Sequence, residues 1–452
     1  MRVAIIGTGY VGLTTGVCLA FMGHKVTCLD TDEGKIRNLE AGKIPIYEPY
    51  LEEVLAESRK NLTFTSSYSE AIPGSEVVFI AVGTPPTPSG APNLEFLSQA
   101  ARSIGRHIDP GFTVVVNKST VPIGSGNWVG SLLRDAVEQR EDKASIQFAV
   151  ASNPEFLREG SALHDSLYPD RIVIGADEPH ALEVLYSLYR PVIDQTFPAP
   201  SYLPRPEEVA AVPLLSSDLA SAELIKYAAN AFLALKISFI NEIGLVSERV
   251  GANISEVGRG IGLDSRIGPR FLNCGIGWGG SCFGKDTAAL IATAGEYGLH
   301  LPIVEAAKKI NSRQRDRVVE KLLLELKILK GRTIGLLGLA FKPNTDDLRE
   351  APAIEIAQKL IDRGVRVKAH DPVAMDRFRR EHGDMGIHLC QDGRDVAEGC
   401  DALVLVTEWS EYREMDWAAV AKSMRTPFLL DGRHVLDKEK LTRAGFHYVS
   451  LS

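Results

Sequence analysis

The first thirty residues alternate between short apolar runs and glycine-rich polar positions. Val3–Ile6 is apolar and rich in branched residues, which favours a strand, and Val11–Met22 has the spacing of a helix. Lys25–Leu29 predicts a second strand, which ends at Asp30. Residues 3–23 carry no charge, but five glycines and three threonines interrupt them. We therefore interpret this stretch as the start of a βαβ unit, and not as a signal peptide or a membrane span.

The same alternation continues through the first half of the chain. Apolar runs that predict buried strands lie at 76–82, 113–117, 148–151 and 171–174. Strands that alternate with helices indicate a mostly parallel, doubly wound sheet. Six prolines then crowd residues 191–213, which we interpret as a surface loop that ends the first domain.

A long helical pattern runs without interruption from about Leu219 to Val250, with Ser217 or Asp218 as its predicted cap. We expect this helix to form a spine, with helices over 286–298 and 302–328 beside it. Beyond it, a second α/β pattern begins near Gly331. Its predicted strands lie at 333–338, 365–369, 402–407 and 428–431.

The predicted fold class is therefore α/β, with two Rossmann-like doubly wound parallel-sheet domains. A long central helix and a helical middle domain would join them. The predicted domain bounds are 1–213, 214–328 and 329–452.

Composition narrows the function classes further. The 452 residues carry a net charge of −8, which argues against a general nucleic-acid binder, since such proteins need a basic face. None of the six cysteines forms a CxxC pair or lies near a histidine at zinc-finger spacing, so we predict no metal site. Scattered thiols in a long chain are typical of reduced cysteines. We expect a cytoplasmic protein that binds neither nucleic acid nor a membrane.

The first turn has the spacing of a dinucleotide-binding motif. Gly7 permits the tight turn, Gly9 lets a pyrophosphate approach the backbone, and Gly12 lets the helix pack closely on the strand. The amides at the helix N-terminus would bind the phosphates. Asp30 is placed to accept hydrogen bonds from a ribose 2′-hydroxyl and would repel a 2′-phosphate, which favours NAD over NADP. The alternative is a glycine-rich turn without a ligand.

Polar segments also follow three later predicted strands, where the ligand crevice of an open sheet lies. The two later segments are expected to bring Thr120 and Glu155 to that crevice, whereas the loop that contains Thr84 is, taken alone, a turn as often as a site. Ordinary turn chemistry would explain the serine, asparagine and proline residues, but it explains Glu155 less well. The segments are 82–86, 118–122 and 152–157.

Two candidates lie one helical turn apart on the long helix. Lys226 and Asn230 share a face that also carries apolar residues. From the spacing alone, a surface lysine is the ordinary interpretation. A buried lysine beside an acid would instead be an electrostatic catalyst.

Residues 275–286 contain five glycines within ten positions, which predicts that this backbone packs closely against another segment. Cys282 follows at the predicted start of a helix. A helix N-terminus and a nearby lysine both lower a thiol pKa, so we predict a nucleophilic thiolate. Asp286 would face the same side, whereas Cys274 is interpreted as structural.

Two basic residues follow strands of the second sheet. Lys342 and Arg433 are candidates to hold phosphates or the nicotinamide end of a cofactor. Solvated surface charge is the alternative. The first turn of this half, from Gly335 to Phe341, does not have the GxGxxG spacing, so it would hold a nucleotide differently.

Taken together and in order, these segments resemble the UDP-glucose 6-dehydrogenases of the UDP-glucose/GDP-mannose dehydrogenase family. The resemblance covers nearly the whole chain. It rests on GTGYVG at 7–12, VGTPP at 82–86, KSTVP at 118–122, NPEFLREG at 153–160, and the stretches 222–243, 266–286 and 338–352.

The resemblance implies a four-electron oxidation of a nucleotide sugar to an acid with two NAD⁺. The primary alcohol at carbon 6 would become an aldehyde, which Cys282 would capture as a thiohemiacetal. Oxidation to a thioester and hydrolysis would then release the carboxylate.

The resemblance also implies roles for the remaining catalytic candidates. Lys226 and Asp286 would hold a water and stabilise the developing oxyanion, and Asn230 would lie in the oxyanion environment. Thr120 and Glu155 would order or activate water.

The same resemblance implies the residues that bind the cofactor and the substrate, and it implies the partner subunit. It also implies that the three domains are, in order, an NAD-binding domain, a central domain and a UDP-sugar-binding domain. Arg266 would reach the substrate of the neighbouring subunit, so a homodimer joined through the central helices is implied. Tyr47 and Glu48 resemble a segment that lies near the substrate. The predicted cofactor-binding residues are Gly7, Gly9, Tyr10, Val11, Gly12, Asp30, Lys35, Thr84, Pro85, Thr120, Glu159, Lys285 and Arg349. The predicted substrate-binding residues are Glu155, Phe156, Leu157, Arg158, Lys226, Asn230, Arg266, Phe271, Gly279, Lys342 and Arg433.

Three alternatives remain open at this point. The same residues would serve UDP-N-acetyl-mannosamine or GDP-mannose. A simple two-electron hydroxyacid or polyol-phosphate dehydrogenase would share the first sheet but would not require Cys282. An NAD-responsive binding protein would need no catalysis, and the intact set of Lys226, Cys282 and Asp286 argues against it. The loop at 191–213 looks longer than the family's connection, which leaves the higher oligomer open.

Overall fold

Two β-sheets organise the computed structural model, which describes residues 1–85, 87 and 91–451. The chain divides into a first unit of residues 1–228 and 288–296 and a second unit of 229–287 and 297–452. The predicted α/β fold class with two Rossmann-like sheets is confirmed.

Within the described residues, the sheet of the first unit has eight strands in the order β3-β2-β1-β4-β5-β6-β7-β8. All neighbouring strands in this sheet are parallel except β6 and β7, which are antiparallel. The sheet is therefore mostly parallel, as predicted. Successive residues of the first strand enter two different cores: Val3 and Ile5 pack on one face, Ala4 and Ile6 on the other. This is why the strand is apolar throughout. The strands are β1 Arg2–Ile6, β2 Lys25–Leu29, β3 Leu62–Thr65, β4 Val77–Ile80, β5 Gly111–Asn117, β6 Ile146–Ser152, β7 Ile172–Ala176 and β8 Leu214–Ser217.

The helices of the first unit pack on these faces, and α1 follows β1 directly, as predicted. They are α1 Tyr10–Phe21, α2 Glu33–Glu40, α3 Leu51–Ser58, α4 Tyr68–Ala71, α5 Glu95–His107, α6 Ser125–Glu138, α7 Ala162–Leu167 and α8 Pro179–Ile193.

The proline-rich stretch differs from the surface loop that we predicted. Pro191 lies inside α8, and Phe197 and Val212 are buried in the core of the first sheet. The loop is held there because the amide of Val212 donates to the carbonyl of Ile193 at 2.9 Å. It leads into β8, so the first sheet runs past the boundary placed at 213.

The long helix α9 spans Leu219–Val250, as predicted. Asp218 is its cap, because a carboxylate oxygen accepts from the amide of Ser221 at 2.7 Å. By length and composition α9 would pass as a membrane span, a test that core helices of soluble proteins also pass. It carries buried polar side chains, among them Glu223, Lys226 and Asn230.

In the described part of the second unit, a six-stranded parallel sheet has the order β11-β10-β9-β12-β13-β14. The sequence predicted four of its strands. The two others, at the edges, are β11, which has only two residues, and β14, whose four residues begin and end with a polar one. The strands are β9 Thr333–Leu337, β10 Arg366–His370, β11 His388–Leu389, β12 Ala402–Leu405, β13 Phe428–Asp431 and β14 His447–Ser450. The helices that follow α9 are α10 Ile254–Gly262, α11 Phe283–Glu296, α12 Pro302–Leu326, α13 Pro352–Ile361, α14 Met375–His382, α15 Gly393–Ala397, α16 Ser410–Arg413, α17 Trp417–Ser423 and α18 Lys438–Arg443.

Candidate active site

The glycine-rich turn between β1 and α1 has the geometry that its spacing predicts. Gly7 has a φ of +99°, and a Cβ placed on Gly12 would lie 1.9 Å from the carbonyl oxygen of Gly7. A Cβ on Gly9 would meet nothing within 4 Å. Two glycines are therefore needed for packing, whereas the third leaves space for a ligand at the N-terminus of α1.

Asp30 lies beside this turn at the end of β2. Its Oδ2 accepts from the amide of Thr8 at 2.9 Å and from the Nζ of Lys35 at 2.8 Å. Its Oδ1 accepts from the amide of Asp32 at 3.1 Å. Burial alone raises the pKa of Asp30, but these hydrogen bonds outweigh it, so the pKa lies below its usual value. An ionised carboxylate with acceptor capacity at Oδ1 fits a ribose hydroxyl.

The other cofactor-side segments lie at neighbouring strand ends. The hydroxyl of Thr84 donates to the carbonyl of Thr120 at 3.0 Å, which joins the loops after β4 and β5. Pro85 accepts from the amide of Asn93 at 2.8 Å. Pro86, the last residue of the VGTPP motif, lies outside the described residues.

Glu155 and Lys226 form a buried ion pair, with Nζ and Oε1 2.9 Å apart. The side chains are 7% and 4% exposed, so the surface interpretation of Lys226 is excluded. Burial by itself raises the pKa of Glu155, but the charge of Lys226 and the amide of Leu157 outweigh it and keep the pKa below its usual value. The ring of Phe156 lies 5.4 Å from the Lys226 ammonium, which adds a cation–π contact.

Glu48 is a buried carboxylate that joins the glycine-rich turn to the loop after β6. It accepts from the Tyr10 hydroxyl, from the amide of Gly160 at 2.6 Å and from the amide of Ala162 at 2.7 Å. Burial raises its pKa above the usual value. Tyr47, in contrast, is exposed. The family resemblance alone predicts that this segment lies near the substrate, whereas its hydrogen bonds show that Glu48 holds the start of α7.

Cys282 is the one cysteine of the six that is not buried, and all six lie among the described residues. It directly precedes α11, and its carbonyl accepts the helical hydrogen bond from the amide of Asp286 at 2.8 Å. Its Sγ lies 3.6 Å from the Ser281 hydroxyl. Cys274 is buried, and burial raises its pKa to about 12, which agrees with a structural thiol.

A Cβ on any of the five glycines around Cys282 would lie within 3 Å of another residue of the second unit. A Cβ on Gly279 would lie 2.4 Å from the carbonyl oxygen of Glu350, and one on Gly280 would lie 2.7 Å from the Phe341 ring. A Cβ on Gly275 would lie 2.4 Å from the carbonyl of Gly432. The loop that carries Cys282 is thus packed directly on the loops of the second sheet, as the glycine pattern predicted.

Asn230 and Asp286 form a buried polar pair in this unit, and Asp286 lies one helical turn after Cys282. Nδ2 of Asn230 donates to Oδ2 of Asp286 at 2.6 Å, and the Nζ of Lys285 lies 3.1 Å from Oδ1. Asp286 is 1% exposed. Only Oδ2 is held by a hydrogen bond, whereas Oδ1 is buried without a hydrogen-bond partner and faces the Lys285 ammonium. A buried carboxylate in this setting is suited to act by its charge.

The remaining substrate candidates have different surroundings. Arg158 is tied to Asp165 by its Nε and Nη2 atoms, whereas Arg266 is exposed and paired with Asp264. The Phe271 residue has a φ of +65°, and its ring lies 6.4 Å from that of Phe283.

Three basic candidates lie beside the second sheet. The guanidinium of Arg433 donates to the carbonyls of Val406, Gly277 and Phe341, so it joins the Cys282 loop to the sheet. Arg349 pairs with Asp347 at 2.8 Å. The Nζ of Lys342 lies 5.4 Å from the ring of Phe341.

Comparison with known families follows the same order along the chain. Residues 1–193 match the NAD binding domain of the UDP-glucose/GDP-mannose dehydrogenase family, 220–313 match its central domain, and 335–438 match its UDP binding domain. The chain belongs to the UDP-glucose/GDP-mannose dehydrogenase family.

Relatives in this family align over the full chain. A UDP-glucose 6-dehydrogenase of Bacillus subtilis (strain 168), TuaD, is 44% identical over all of this chain and 93% of its own length. One of Rhizobium meliloti (strain 1021) is 44% identical over all of this chain and 99% of its own length. The solved UDP-glucose dehydrogenase of Pyrobaculum islandicum is 38% identical, covers 100% of this chain and 97% of its own, and has a TM-score of 0.88.

These matches make the protein an NAD-dependent nucleotide-sugar dehydrogenase. The turn at Gly7–Gly12 and Asp30 fits NAD, because Gly9 leaves space at the helix N-terminus and the ionised Asp30 disfavours a 2′-phosphate.

The UDP-binding domain contains a turn after its first strand that is similar to the Gly7–Gly12 turn, but the acidic residue beside it has different partners. Gly338 also has a φ of +99°, and Asp371 follows β10 as Asp30 follows β2. However, Asp371 is 1% exposed and accepts from five protein N–H groups, those of Leu339, Ala340, Val373, Ala374 and the indole of Trp409. Its carboxylate oxygens are occupied by hydrogen bonds inside the protein, so Asp371 is not available to a ribose hydroxyl in the way that Asp30 is.

Two buried charged residues, Asp371 and Lys118, were not predicted from the sequence to have a specific role. Asp371 had a usable signal, since it ends the second strand of a βαβ unit in the same position as Asp30. Lys118 lies in the KSTVP motif and is buried, but spacing alone does not separate a buried lysine from a surface one.

Proposed function

We propose that this dehydrogenase oxidises UDP-glucose to UDP-glucuronate, with Cys282 as the covalent nucleophile. The substrate is supported by full-length relatives that are UDP-glucose 6-dehydrogenases. The observation that carries the mechanism is the position of Cys282, partly exposed at the N-terminus of α11 on a loop held by close glycine contacts. A helix N-terminus favours a thiolate.

The reaction balances as one alcohol, two NAD⁺ and one water giving one carboxylate, two NADH and three protons. The Gly7–Gly12 turn and Asp30 would hold NAD⁺, which would supply the hydride acceptor for both oxidations. The Cys282 thiolate adds to the aldehyde carbon to form a thiohemiacetal, which becomes a thioester when its carbon loses the second hydride. Water then attacks the thioester, and the C–S bond breaks to release the carboxylate and the thiol.

We assign the charged groups by their immediate partners. Lys226 and Glu155 hold and activate water, because the pair is buried and Glu155 stays ionised. Asn230 and Asp286 support the oxyanion chemistry on the Cys282 side, and Thr120 orders water on the cofactor side.

The other family-based assignments stay part of this proposal. We propose a cytoplasmic homodimer in which Arg266 reaches the substrate of the partner subunit. The exposure of Arg266, whose side chain is 87% accessible, supports a role outside its own chain. The binding residues predicted for NAD and for the UDP-sugar stand as proposed.

The deciding experiment counts NADH and consumed sugar in the same tube for UDP-glucose, UDP-N-acetyl-mannosamine and GDP-mannose. Two NADH per UDP-glucose, with little turnover of the others, is the expected result. One NADH per sugar would remove the thioester half of the mechanism. Two NADH from another sugar would keep the mechanism and change the substrate.

Cys282→Ala tests the covalent step, and Cys274→Ala is the matched control, since it removes a thiol that is buried. We expect Cys282→Ala to form no acid and Cys274→Ala to keep the two-to-one ratio. Near-normal acid formation by Cys282→Ala would contradict the covalent mechanism.

A further inference from the structure

A buried asparagine that the proposed reaction does not use holds the loop that leads to Cys282. Asn311 lies on α12 and is 2% exposed. Its Oδ1 accepts from the amide of Trp278 at 2.7 Å, and its Nδ2 donates to the carbonyl of Trp278 at 2.9 Å. Both polar ends of this side chain are therefore paired with the backbone of one loop residue.

The loop backbone approaches this side chain so closely that only glycine fits beside it. Gly277 has a φ of +93°, and a Cβ placed on it would lie 2.4 Å from Oδ1 of Asn311. Within the described residues, the amide of Trp278 has no other hydrogen-bond acceptor. The carbonyl of Trp278 also accepts from Arg315 at 3.0 Å. The amide is therefore the group that depends on Asn311 alone.

Trp278 connects this pair to Cys282 by direct contact. The Trp278 side chain is buried, and its ring lies 5.9 Å from the ring of Phe283 in an edge-on arrangement. Phe283 directly follows Cys282 and is the first residue of α11. Between the two aromatic residues, the amide of Gly280 donates to the carbonyl of Arg349 at 2.9 Å. Because packed side chains transmit displacements, a shift of the Trp278 backbone would reach the start of α11 and the thiol beside it.

We propose that Asn311 is a positioning residue that acts through Trp278 and holds the Cys282 thiol in place for its attack on the aldehyde carbon. This inference rests on the proposed function, in which Cys282 is the nucleophile. Placement matters for such a step, because a misplacement of about 1 Å can lower a rate about a hundredfold. Packing alone does not require an amide at position 311. A leucine would fill a similar volume, but it would leave the Trp278 amide buried without an acceptor.

The experiment compares Asn311→Leu, Asn311→Asp and Gln314→Met in the full-length enzyme. Asn311→Leu removes both hydrogen bonds to Trp278. Asn311→Asp keeps an acceptor for the Trp278 amide but replaces the donor with an oxygen that faces the Trp278 carbonyl. Gln314→Met is the matched control, because Gln314 is also a buried amide on α12, but it accepts from Arg317 at 3.3 Å and makes no hydrogen bond to the loop.

Three quantities are measured for each variant. They are kcat and KM for UDP-glucose, the pH profile of Cys282 alkylation by iodoacetamide without substrate, and the midpoint of thermal unfolding. Activity and alkylation are compared at a temperature at which every variant is folded. A residue that only stabilises the fold would change the unfolding midpoint and leave the other two quantities unchanged.

For Asn311→Leu we expect kcat to fall about tenfold or more. The pH of half-maximal alkylation should rise towards that of an ordinary thiol, because the N-terminus of α11 favours the thiolate only while Cys282 is held there. Asn311→Asp should show smaller changes in the same direction, since it keeps one of the two hydrogen bonds. Gln314→Met should keep the wild-type kcat and alkylation profile.

Two results would overturn the inference. A wild-type kcat and alkylation profile in the Asn311 variants would show that Asn311 only stabilises the fold, and Asn311→Asp decides this if Asn311→Leu does not fold. Equal losses of kcat in Asn311→Leu and Gln314→Met would show a general effect of weakening α12. A wild type that yields one NADH per sugar would refute the proposed function instead, and the alkylation profiles, which need no substrate, would still decide whether Asn311 positions Cys282.

Discussion

The buried pair of Lys226 and Glu155 predicts a large, pH-dependent loss of stability when one partner is removed. Lys226→Met keeps the volume but leaves the Glu155 carboxylate buried with the amide of Leu157 and the charge of Lys118. Breaking such a pair costs about 3–5 kcal/mol, and we expect the lower end, about 3 kcal/mol, because Lys118 remains. In a unit of about 240 residues this corresponds to a midpoint about 6 °C lower.

The pH dependence gives the sign of the effect. In the wild type the pKa of Glu155 is lowered, so its contribution is present above the unfolded-state pKa and is lost as the pH falls through the folded-state value. In Lys226→Met, burial dominates and raises that pKa, so protonation relieves the unpaired charge at acidic pH. The difference from wild type should therefore be large at pH 8 and shrink towards pH 5.

Calorimetry of the full chain measures this, with Glu155→Gln and the double variant completing the cycle. The double variant should recover most of the loss, because no unpaired charge remains. Exposed ion pairs typically contribute less than about 1 kcal/mol. A stability difference between wild type and Lys226→Met that is this small and does not change between pH 5 and pH 8 would refute the buried-pair interpretation.

Three further predictions test the cofactor turn and the cysteines. Gly9→Ala should fold normally but lose NAD affinity, whereas Gly12→Ala, whose Cβ would lie 1.9 Å from a backbone oxygen, should lose about 1–3 kcal/mol of unfolding free energy. Calorimetry and NAD titration separate the two effects, and equal losses of stability and of NAD affinity in both variants would contradict the separate roles of the two glycines. Asp30→Asn should raise the KM for NAD about tenfold or more and should reduce the preference of the enzyme for NAD over NADP. An unchanged ratio of the two kcat/KM values, for NAD and for NADP, would show that Asp30 does not bind the ribose. Iodoacetamide at pH 7.5 should label Cys282 before Cys274, whose pKa is raised to about 12, as peptide mass spectrometry would show; the reverse order would contradict a reactive Cys282.

Local patterns were sufficient for most of the fold. The apolar runs and the glycine spacing predicted β1, α1 and β2 to within one or two residues, and α9 has the predicted bounds. The strands that were missed, β3, β8, β11 and β14, are short and lie at or near sheet edges. Short strands of this kind carry little periodicity, and their pairing depends on partners that are distant in the chain.

The candidate site likewise has features that local sequence predicts and features that depend on tertiary packing. The sequence alone determined the order of the elements, the NAD-binding turn, the family and the helix-terminal position of Cys282, because each is written in residues that are close together in the chain. It left open whether Lys226 is a surface lysine or a partner of an acid, and it did not single out Lys118. Only the tertiary structure decided that both lysines are buried near Glu155. The physical reason is that burial and charge environment arise from packing between α9 and the ends of β5 and β6, which local spacing does not encode.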